Sequence, residues 1–232
     1  MKIPYIFASF QKLFLLLSKA LDFLMPRNES EGHLLLLSDG EILSLLPRYD
    51  ETRDRPLPEG IYSAFAYRNK NTEALVRLLK YQNNEKVRRV AGNALSEMLL
   101  SYLEEKFFFH GDKSILIVPI PMSVKEKRRR GWNQAEELAK GLCEKEELKD
   151  FFEYAPILEK VRETKRQTEM KSKKEREENL RGVFALSIGV KIKGKTIFLI
   201  DDVTTTGTTL QEARRTLKAS GAKEVLCFTL AC

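Results

Sequence analysis

Cysteine and histidine are scarce in this chain of 232 residues, which has three cysteines and two histidines. Cys143, Cys227 and Cys232 are widely spaced, and no C-x-x-C pair occurs. Disulfide frameworks need more cysteines at regular spacings, and structural zinc sites are built mainly from thiolate and imidazole ligands. The sequence therefore argues against a disulfide-rich secreted module, predicts no zinc and favours the reducing cytoplasm.

Long hydrophobic runs are also missing, even from the N-terminal segment, which is rich in Phe and Leu. Its longest unbroken apolar run covers residues 13–17, too short for a signal-peptide core or a membrane span. Apolar residues instead recur at helical spacing across residues 3–24, which predicts an amphipathic helix packed on the main domain or on a partner chain. Attachment to a membrane surface is the less favoured alternative, because the polar face has few basic residues.

Acidic residues are outnumbered by basic ones. The chain has 40 Lys and Arg against 33 Asp and Glu, a formal net charge of +7. This excess favours anionic partners, but phosphate, pyrophosphate, nucleic acid and acidic membranes all qualify. The length, with 43% hydrophobic and 31% charged residues, fits one α/β domain with a full core and an appendage.

The most informative segment places two acids directly after an apolar run. Residues 197–200 are typical of a buried strand in a parallel sheet, and Asp201 and Asp202 fall at its carboxyl end. Ligands of open α/β sheets bind beyond the carboxyl ends of the strands. Paired carboxylates at that position can accept hydrogen bonds from the two hydroxyls of a ribose.

A turn rich in threonine follows the acids, and we call residues 201–209 the Asp/Thr loop. Gly207 allows a tight turn, and residues 210–218 have apolar positions at helical spacing. The N-terminus of that helix would favour a phosphate, and the threonine hydroxyls add donors. The segment therefore predicts a sugar-phosphate site formed by Asp201, Asp202, Thr204, Thr205, Thr206, Gly207, Thr208 and Thr209.

Two other interpretations of this region are weaker. An ordinary strand-turn-helix connection needs one capping residue rather than the whole series. A Walker B strand also ends in acids, and residues 189–196 match the P-loop pattern G-x-x-x-x-G-K-[ST]. A P-loop follows a strand and opens a helix, whereas this segment runs directly into the strand at Ile197, so we predict a polar hairpin or turn there.

Elsewhere the sequence predicts alternating strands and helices, and residues 27–60 are too weakly periodic to assign. Strands are expected at 61–67 and 114–118, helices at 72–81, 85–109 and 133–142, and a basic loop at 122–134.

Five blocks of the sequence resemble the ComF-type competence proteins, a branch of the type I phosphoribosyltransferases. The blocks are residues 79–81, 118–121, 130–135, 178–184 and 201–209. The resemblance implies a type I phosphoribosyltransferase fold at residues 61–232, with a central, mainly parallel sheet flanked by helices, behind an N-terminal helical appendage at residues 1–60. It also implies a magnesium-dependent site for phosphoribosyl pyrophosphate and a link to natural DNA uptake.

The same resemblance implies roles for individual residues. The Asp/Thr loop would bind ribose 5-phosphate, and Asp201 and Asp202 would hold the ribose hydroxyls and Mg²⁺. The segment 118–121 resembles the pyrophosphate loop. The candidate pyrophosphate-binding residues are Pro119, Ile120, Pro121, Arg129 and Arg130.

Three features qualify the resemblance. The family usually begins with a zinc-binding module of C-x-x-C pairs, which this chain lacks. Related enzymes that have an acid within the loop have it near Thr205, so no general acid or base is predicted. The charged residues 159–181 are similar in position to a flexible loop that closes over the substrate, although a solvated helix face explains them equally well.

The sequence thus predicts a phosphoribosyltransferase-like protein that binds phosphoribosyl pyrophosphate with Mg²⁺, and it leaves catalysis open. Two alternatives remain. One is a non-catalytic accessory protein that binds single-stranded DNA or a competence helicase through basic residues 127–130, beside Trp132. The other is a regulator that senses phosphoribosyl pyrophosphate. The oligomeric state is undetermined, and a homodimer is left open.

Overall fold

The computed structural model describes residues 29–50, 54, 56–82, 84–106, 115–162 and 179–232. The helix predicted at residues 3–24 lies outside this part of the chain, as do residues 163–178 of the charged segment. The helices are α1 (Glu29–Leu36), α2 (Asp39–Ser44), α3 (Lys70–Tyr81), α4 (Glu85–Lys106), α5 (Val124–Arg130), α6 (Gln134–Cys143) and α7 (Thr208–Ala219). The strands are β1 (Ile61–Phe65), β2 (Ile115–Pro119), β3 (Phe152–Tyr154), β4 (Leu158–Lys160), β5 (Phe184–Leu186), β6 (Thr196–Val203) and β7 (Glu224–Ala231).

Five strands form a central parallel sheet in the order β1-β7-β6-β2-β3. Strand β6 is central, and its side chains alternate between two hydrophobic cores. Phe198 and Ile200 belong to the core beneath α3, α4 and α6, whereas Ile197 and Leu199 belong to the core beneath α7. Helices on both faces of a parallel sheet explain why these strands are hydrophobic throughout, and the predicted fold class is confirmed.

A small antiparallel ribbon stands apart from this sheet. Strands β4 and β5 pair with Leu158 opposite Leu186 and Lys160 opposite Phe184. The ribbon brings the two ends of the undescribed segment 163–178 close together. Among the described residues, no helix combines the length and the hydrophobicity needed to cross a bilayer.

Two short helices form within residues 27–60, where the sequence indicated no periodic structure. Helix α2 begins with a capping box, in which Ser38 and Glu41 bond to each other's backbone N–H groups. Leu34 of α1 and Ile42 of α2 are buried in the core shared with the sheet. Helices of eight and six residues are too short to show a clear apolar period. The domain boundary at residue 60 stays a prediction.

The basic loop predicted at 122–134 was wrong in part, because residues 124–130 form α5. Ser123 caps this helix by accepting a hydrogen bond from the Glu126 N–H, and Gly131 ends it with a φ of 86°. No residue of α5 is buried, so the sequence has no apolar stripe there to indicate a helix. The segment 189–196, by contrast, forms turns that lead directly into β6, which confirms the prediction against a P-loop.

Candidate phosphate and ribose site

A cleft of about 800 Å³ opens at the carboxyl ends of β2 and β6. It is bordered by the end of α3, the turn after β2, helix α5 and the acids of β6. A second cavity of about 370 Å³ lies against the Asp/Thr loop. Four residues border both spaces, namely Lys80, Glu126, Asp201 and Thr209. We call the larger space the main cleft and the smaller one the loop cavity.

The carboxyl groups of Asp201 and Asp202 are held by the backbone that follows each of them. Asp201 Oδ1 accepts from the Asp202 N–H at 2.9 Å, and Asp202 Oδ1 accepts from the Val203 N–H at 2.8 Å. Burial, and then the adjacent Asp202 carboxylate, raise the pKa of Asp201 well above its ordinary value. Carboxyl groups so placed can accept hydrogen bonds from hydroxyls or contribute to a cation site.

The residues present fit a magnesium ion that is completed by a ligand. Asp202 Oδ2 is buried and accepts no hydrogen bond from a described residue, although Lys80 Nζ lies 3.4 Å away. The described part of the chain has no group of three or more His, Cys, Asp or Glu side chains that could hold a metal ion, so the protein would supply only the two carboxylates of the acid pair. Mg²⁺ commonly binds to one or two carboxylates, with substrate phosphates and waters supplying the other oxygens.

The Asp/Thr loop presents the N-terminus of α7 to the loop cavity. Gly207 has a φ of 73° and precedes the helix, and no side chain caps α7. Thr204 is turned inward, because its Oγ1 accepts from the Gly207 N–H at 3.1 Å. The hydroxyls of Thr206 and Thr208 are 2.6 Å apart. Because no side chain caps it, the N-terminus of α7 can bind an anion.

Gly207 also allows the loop to pass close to β1. A Cβ atom at this position would lie 2.8 Å from Ile61 Cδ1 and 3.1 Å from Pro58 Cγ. Glycine is required both by this close approach and by the positive φ. The structure therefore brings every predicted residue of the Asp/Thr loop to one of the two spaces: Asp201, Asp202, Thr204, Thr205, Thr206, Gly207, Thr208 and Thr209.

The predicted pyrophosphate residues are divided by the structure. Ile120, Pro121, Arg129 and Arg130 line the main cleft. Pro119 is instead the last residue of β2, buried and paired with Ile200, and it is not among the residues that line the main cleft. Its role in pyrophosphate binding stays a prediction.

Arg130 and the residues after it hold the end of α3 in place. The Arg130 guanidinium lies 5.7 Å from the centre of the Tyr81 ring. Trp132 Nε1 donates to the Leu79 carbonyl at 3.4 Å, and Gln134 Nε2 donates to the Lys80 carbonyl at 3.0 Å. We call residues 130–134 the α3 clamp. Blocks 79–81 and 130–135 are therefore in direct contact, which the sequence did not predict.

Lys80 is the main site residue that sequence reasoning missed. The sequence includes it only as the middle residue of block 79–81, which indicates no chemical role for it. A lysine in the last turn of a helix is usually a solvated cation. Asn133 of the α3 clamp contacts the turn after β2, because its Nδ2 donates a hydrogen bond to the Ile120 carbonyl at 3.0 Å.

The block at residues 178–184 borders the opposite side of the main cleft through Leu180 and Phe184. Its Gly182 N–H donates to Glu212 Oε1 of α7 at 2.6 Å. Arg162 Nη2 donates to the carbonyls of Asn179 and Arg181, at 2.8 Å each. These contacts join both ends of the segment 163–178 beside the cleft; the segment itself, predicted as a closing loop, lies outside the described residues.

Residues 100–231 match the phosphoribosyl transferase domain family. The chain belongs to this family. It is 36% identical over 153 residues to the competence protein ComFC of Streptococcus pneumoniae, covering 65% of this chain and 59% of that protein. It is 33% identical over 116 residues to the competence protein F of Haemophilus influenzae, covering 50% and 49%. The predicted resemblance to ComF-type proteins is confirmed.

These matches are partial, since the chain spans about half the length of the curated relatives it matches. A solved structure of the allosteric regulatory enzyme of purine biosynthesis is 22% identical and has a TM-score of 0.40, covering 66% of this chain and 30% of that one.

Proposed function

We propose that this protein binds phosphoribosyl pyrophosphate together with Mg²⁺ in the main cleft and the loop cavity. The observation that carries the proposal is the placement of two adjacent carboxylates between the uncapped N-terminus of α7 and a cleft lined by basic side chains. A ligand with a phosphate at one end, a ribose in the middle and a diphosphate at the other matches this order of groups.

Each part of the site would bind one part of the ligand. The N–H groups at the start of α7 and the hydroxyls of Thr205, Thr206 and Thr209 would donate to the 5-phosphate. Asp201 and Asp202 would accept hydrogen bonds from the ribose hydroxyls and hold the metal. Arg129 and Arg130 would pair with the diphosphate from α5. When bound, Mg²⁺ would neutralise negative charge on the diphosphate.

Transfer of the phosphoribosyl group is a separate step. It would need a nucleophile to attack the anomeric carbon while the bond to pyrophosphate breaks. Position 205, where some related enzymes have an acid, has a threonine that is exposed. The proposal is therefore of binding, and pyrophosphate release in the presence of a panel of bases would show whether the protein is an enzyme rather than a sensor of this metabolite.

The test of binding is calorimetric titration with phosphoribosyl pyrophosphate, with Mg²⁺ and then with excess EDTA. We expect binding that requires Mg²⁺ and is lost in the double variant Asp201→Asn/Asp202→Asn. The exposed Asp150→Asn is a matched control that should bind as the wild type does. Absence of binding by the wild-type protein would contradict both the enzyme and the sensor.

A second candidate function is binding of single-stranded DNA, and α5 favours it. This helix has five basic residues and none that is buried. Lys125, Arg128 and Arg129 are exposed, and Lys125 and Arg129 line the main cleft. Binding through phosphates would weaken steeply with salt. It should survive Asp201→Asn/Asp202→Asn and fail in the triple variant Lys125→Gln/Arg128→Gln/Arg129→Gln; the opposite pattern would exclude this role.

The relatives named as competence proteins support a link between this protein and DNA uptake. A competence helicase as partner, a homodimer and a cytoplasmic location stay predictions from the sequence. The salt-dependent DNA binding described above is the first measurement that would bear on the link.

A further inference from the structure

Lys80 occupies the junction of the two spaces. It lies in the last turn of α3, outside the Asp/Thr loop and outside the turn after β2, yet it borders both the main cleft and the loop cavity. Its side chain is 24% exposed, and Nζ lies 3.4 Å from Asp202 Oδ2. Lys80 therefore places a largely buried positive charge beside a carboxylate of the acid pair, at a site that also fits Mg²⁺.

The backbone at Lys80 is fixed by the α3 clamp. The carbonyls of Leu79 and Lys80 accept hydrogen bonds from Trp132 and Gln134, and the Tyr81 ring lies beneath Arg130. Three consecutive residues are thus held by one segment, whereas the lysine side chain itself is held only by its ion pair within the described residues. These contacts fix the position of the main chain, whereas the ammonium on its flexible four-carbon stem can exchange partners.

A metal ion at the acid pair would change the electrostatic environment of this ammonium. A divalent cation and Lys80 Nζ would compete for Asp202 Oδ2, and like charges within a few ångströms repel each other strongly in a partly buried site. A diphosphate arriving with the metal brings anionic oxygens to the main cleft, on which Lys80 also borders. The same side chain can therefore leave the carboxylate and remain paired.

We propose that Lys80 is an anion-binding residue of this site, paired with Asp202 in the ligand-free protein and with a diphosphate oxygen of the bound ligand. This inference rests on the proposed function. It assigns to α3 a direct contact with the ligand, in addition to those from the Asp/Thr loop and α5. It also makes Lys80 an internal counter-cation that competes with the metal for Asp202.

The test uses Lys80→Met and Lys80→Gln in the full chain, with the exposed Lys149→Met as control. Calorimetric titration with phosphoribosyl pyrophosphate and Mg²⁺ should show an affinity about tenfold to a hundredfold lower in both Lys80 variants, the usual effect of losing a charge-assisted hydrogen bond. Mn²⁺ alone, followed by electron paramagnetic resonance, should bind these variants more tightly, because the competing ammonium is gone. Two effects of opposite sign would not arise from damage to the fold.

The outcomes separate this inference from the function on which it rests. If the wild-type protein binds no phosphoribosyl pyrophosphate, both are wrong. If the wild type binds and the folded Lys80 variants lose less than tenfold, the role of Lys80 is overturned and the proposed function stands. A loss of ligand affinity without a gain in Mn²⁺ affinity would overturn the exchange between Asp202 and the ligand.

Discussion

At the scale of single residues, the adjacent carboxyl groups of Asp201 and Asp202 have different surroundings. Asp201 is affected mainly by burial and by the neighbouring charge, which raise its pKa. Asp202 forms an ion pair with Lys80. Removing one negative charge should therefore affect stability differently, depending on which of the two residues loses it.

We expect Asp201→Asn to stabilise the ligand-free protein at neutral pH. An acid with a raised pKa in the folded state destabilises the fold as the pH rises from its ordinary pKa to the raised value, and the penalty persists above that value. The amide removes the penalty and still accepts from the Asp202 N–H. Thermal unfolding should show a midpoint higher by about 2–4 °C, equivalent to about 1 kcal/mol in a chain of this length, with the gain disappearing in acid.

Asp202→Asn is the matched comparison. It breaks the ion pair with Lys80 and leaves a largely buried ammonium without its carboxylate, so its midpoint should not rise. An equal rise of the unfolding midpoint in both variants would show that both carboxylates destabilise the fold, rather than Asp201 alone.

Gly207 provides a second prediction at this scale. Gly207→Ala should destabilise the protein by at least about 1–2 kcal/mol, because alanine is strained at positive φ and its Cβ would clash with Ile61. Urea denaturation would measure the loss. The matched control is Gly189→Ala, which has a similar φ of 83° but no atom within 4 Å of the added Cβ; equal losses would mean that the contact with β1 contributes nothing.

Local sequence was sufficient to predict the Asp/Thr loop, because a strand, its acids, the turn and the following helix are consecutive in the chain. Lys80 could not be predicted in the same way. Its role depends on the packing of α3 against residues 130–134 and against β6, and neither contact has a sequence pattern. Pro119 was predicted from a family block, and the structure places it buried at the end of β2, so its contact with a ligand stays a prediction.

At the scale of elements, the α3 clamp connects the end of one helix to the start of another. Gln134→Leu should leave the Lys80 carbonyl without its donor and cost about 1–3 kcal/mol of stability. The C-terminal turn of α3 should open more often, so amide hydrogen exchange at residues 80–82 should accelerate. The exposed Gln211→Leu on α7 is the control, and equal exchange in both variants would contradict the clamp.

Glu212 of α7 also joins two separate segments of the chain, because it accepts a hydrogen bond from the Gly182 N–H. Hydrogen bonds from Arg215 and then from the Gly182 N–H hold its pKa below the ordinary value, so the charged carboxylate stabilises the fold. Glu212→Gln should cost about 1–3 kcal/mol at neutral pH, measured by urea denaturation. Because the pKa is depressed, this difference should shrink as the pH falls below the ordinary value for glutamate; a difference independent of pH would contradict a role for the charge.

The elements that sequence reasoning missed are short or have no hydrophobic face. Helix α5 buries no side chain, and α2 is defined by its capping box rather than by a period. By contrast, the long helices α3 and α4 and the strand β6 were predicted within a few residues, because their burial produces clear apolar patterns. The ribbon of β4 and β5 has three residues in each strand, too few to show alternation.

At the scale of the whole molecule, the parallel sheet brings distant blocks to one edge. Blocks that begin at residues 79, 118, 130, 178 and 201 all contribute to the main cleft. Blocks 118–121 and 201–209 meet there because the carboxyl ends of parallel strands lie on the same side, whereas the others reach it through the end of α3, the start of α6 and the segment before β5. The family resemblance predicted this fold, whereas the contacts among the blocks required the structure. We propose that the convergence of these blocks forms a single site for both ends of one ligand.

A crystal structure of the protein with Mg²⁺ and phosphoribosyl pyrophosphate would test this proposal. We expect the 5-phosphate at the N-terminus of α7, the ribose hydroxyls at Asp201 and Asp202, and the diphosphate in the main cleft within hydrogen-bond distance of Lys80. A ligand bound with its 5-phosphate away from residues 205–209, or no ligand in the cleft at saturating concentration, would contradict it.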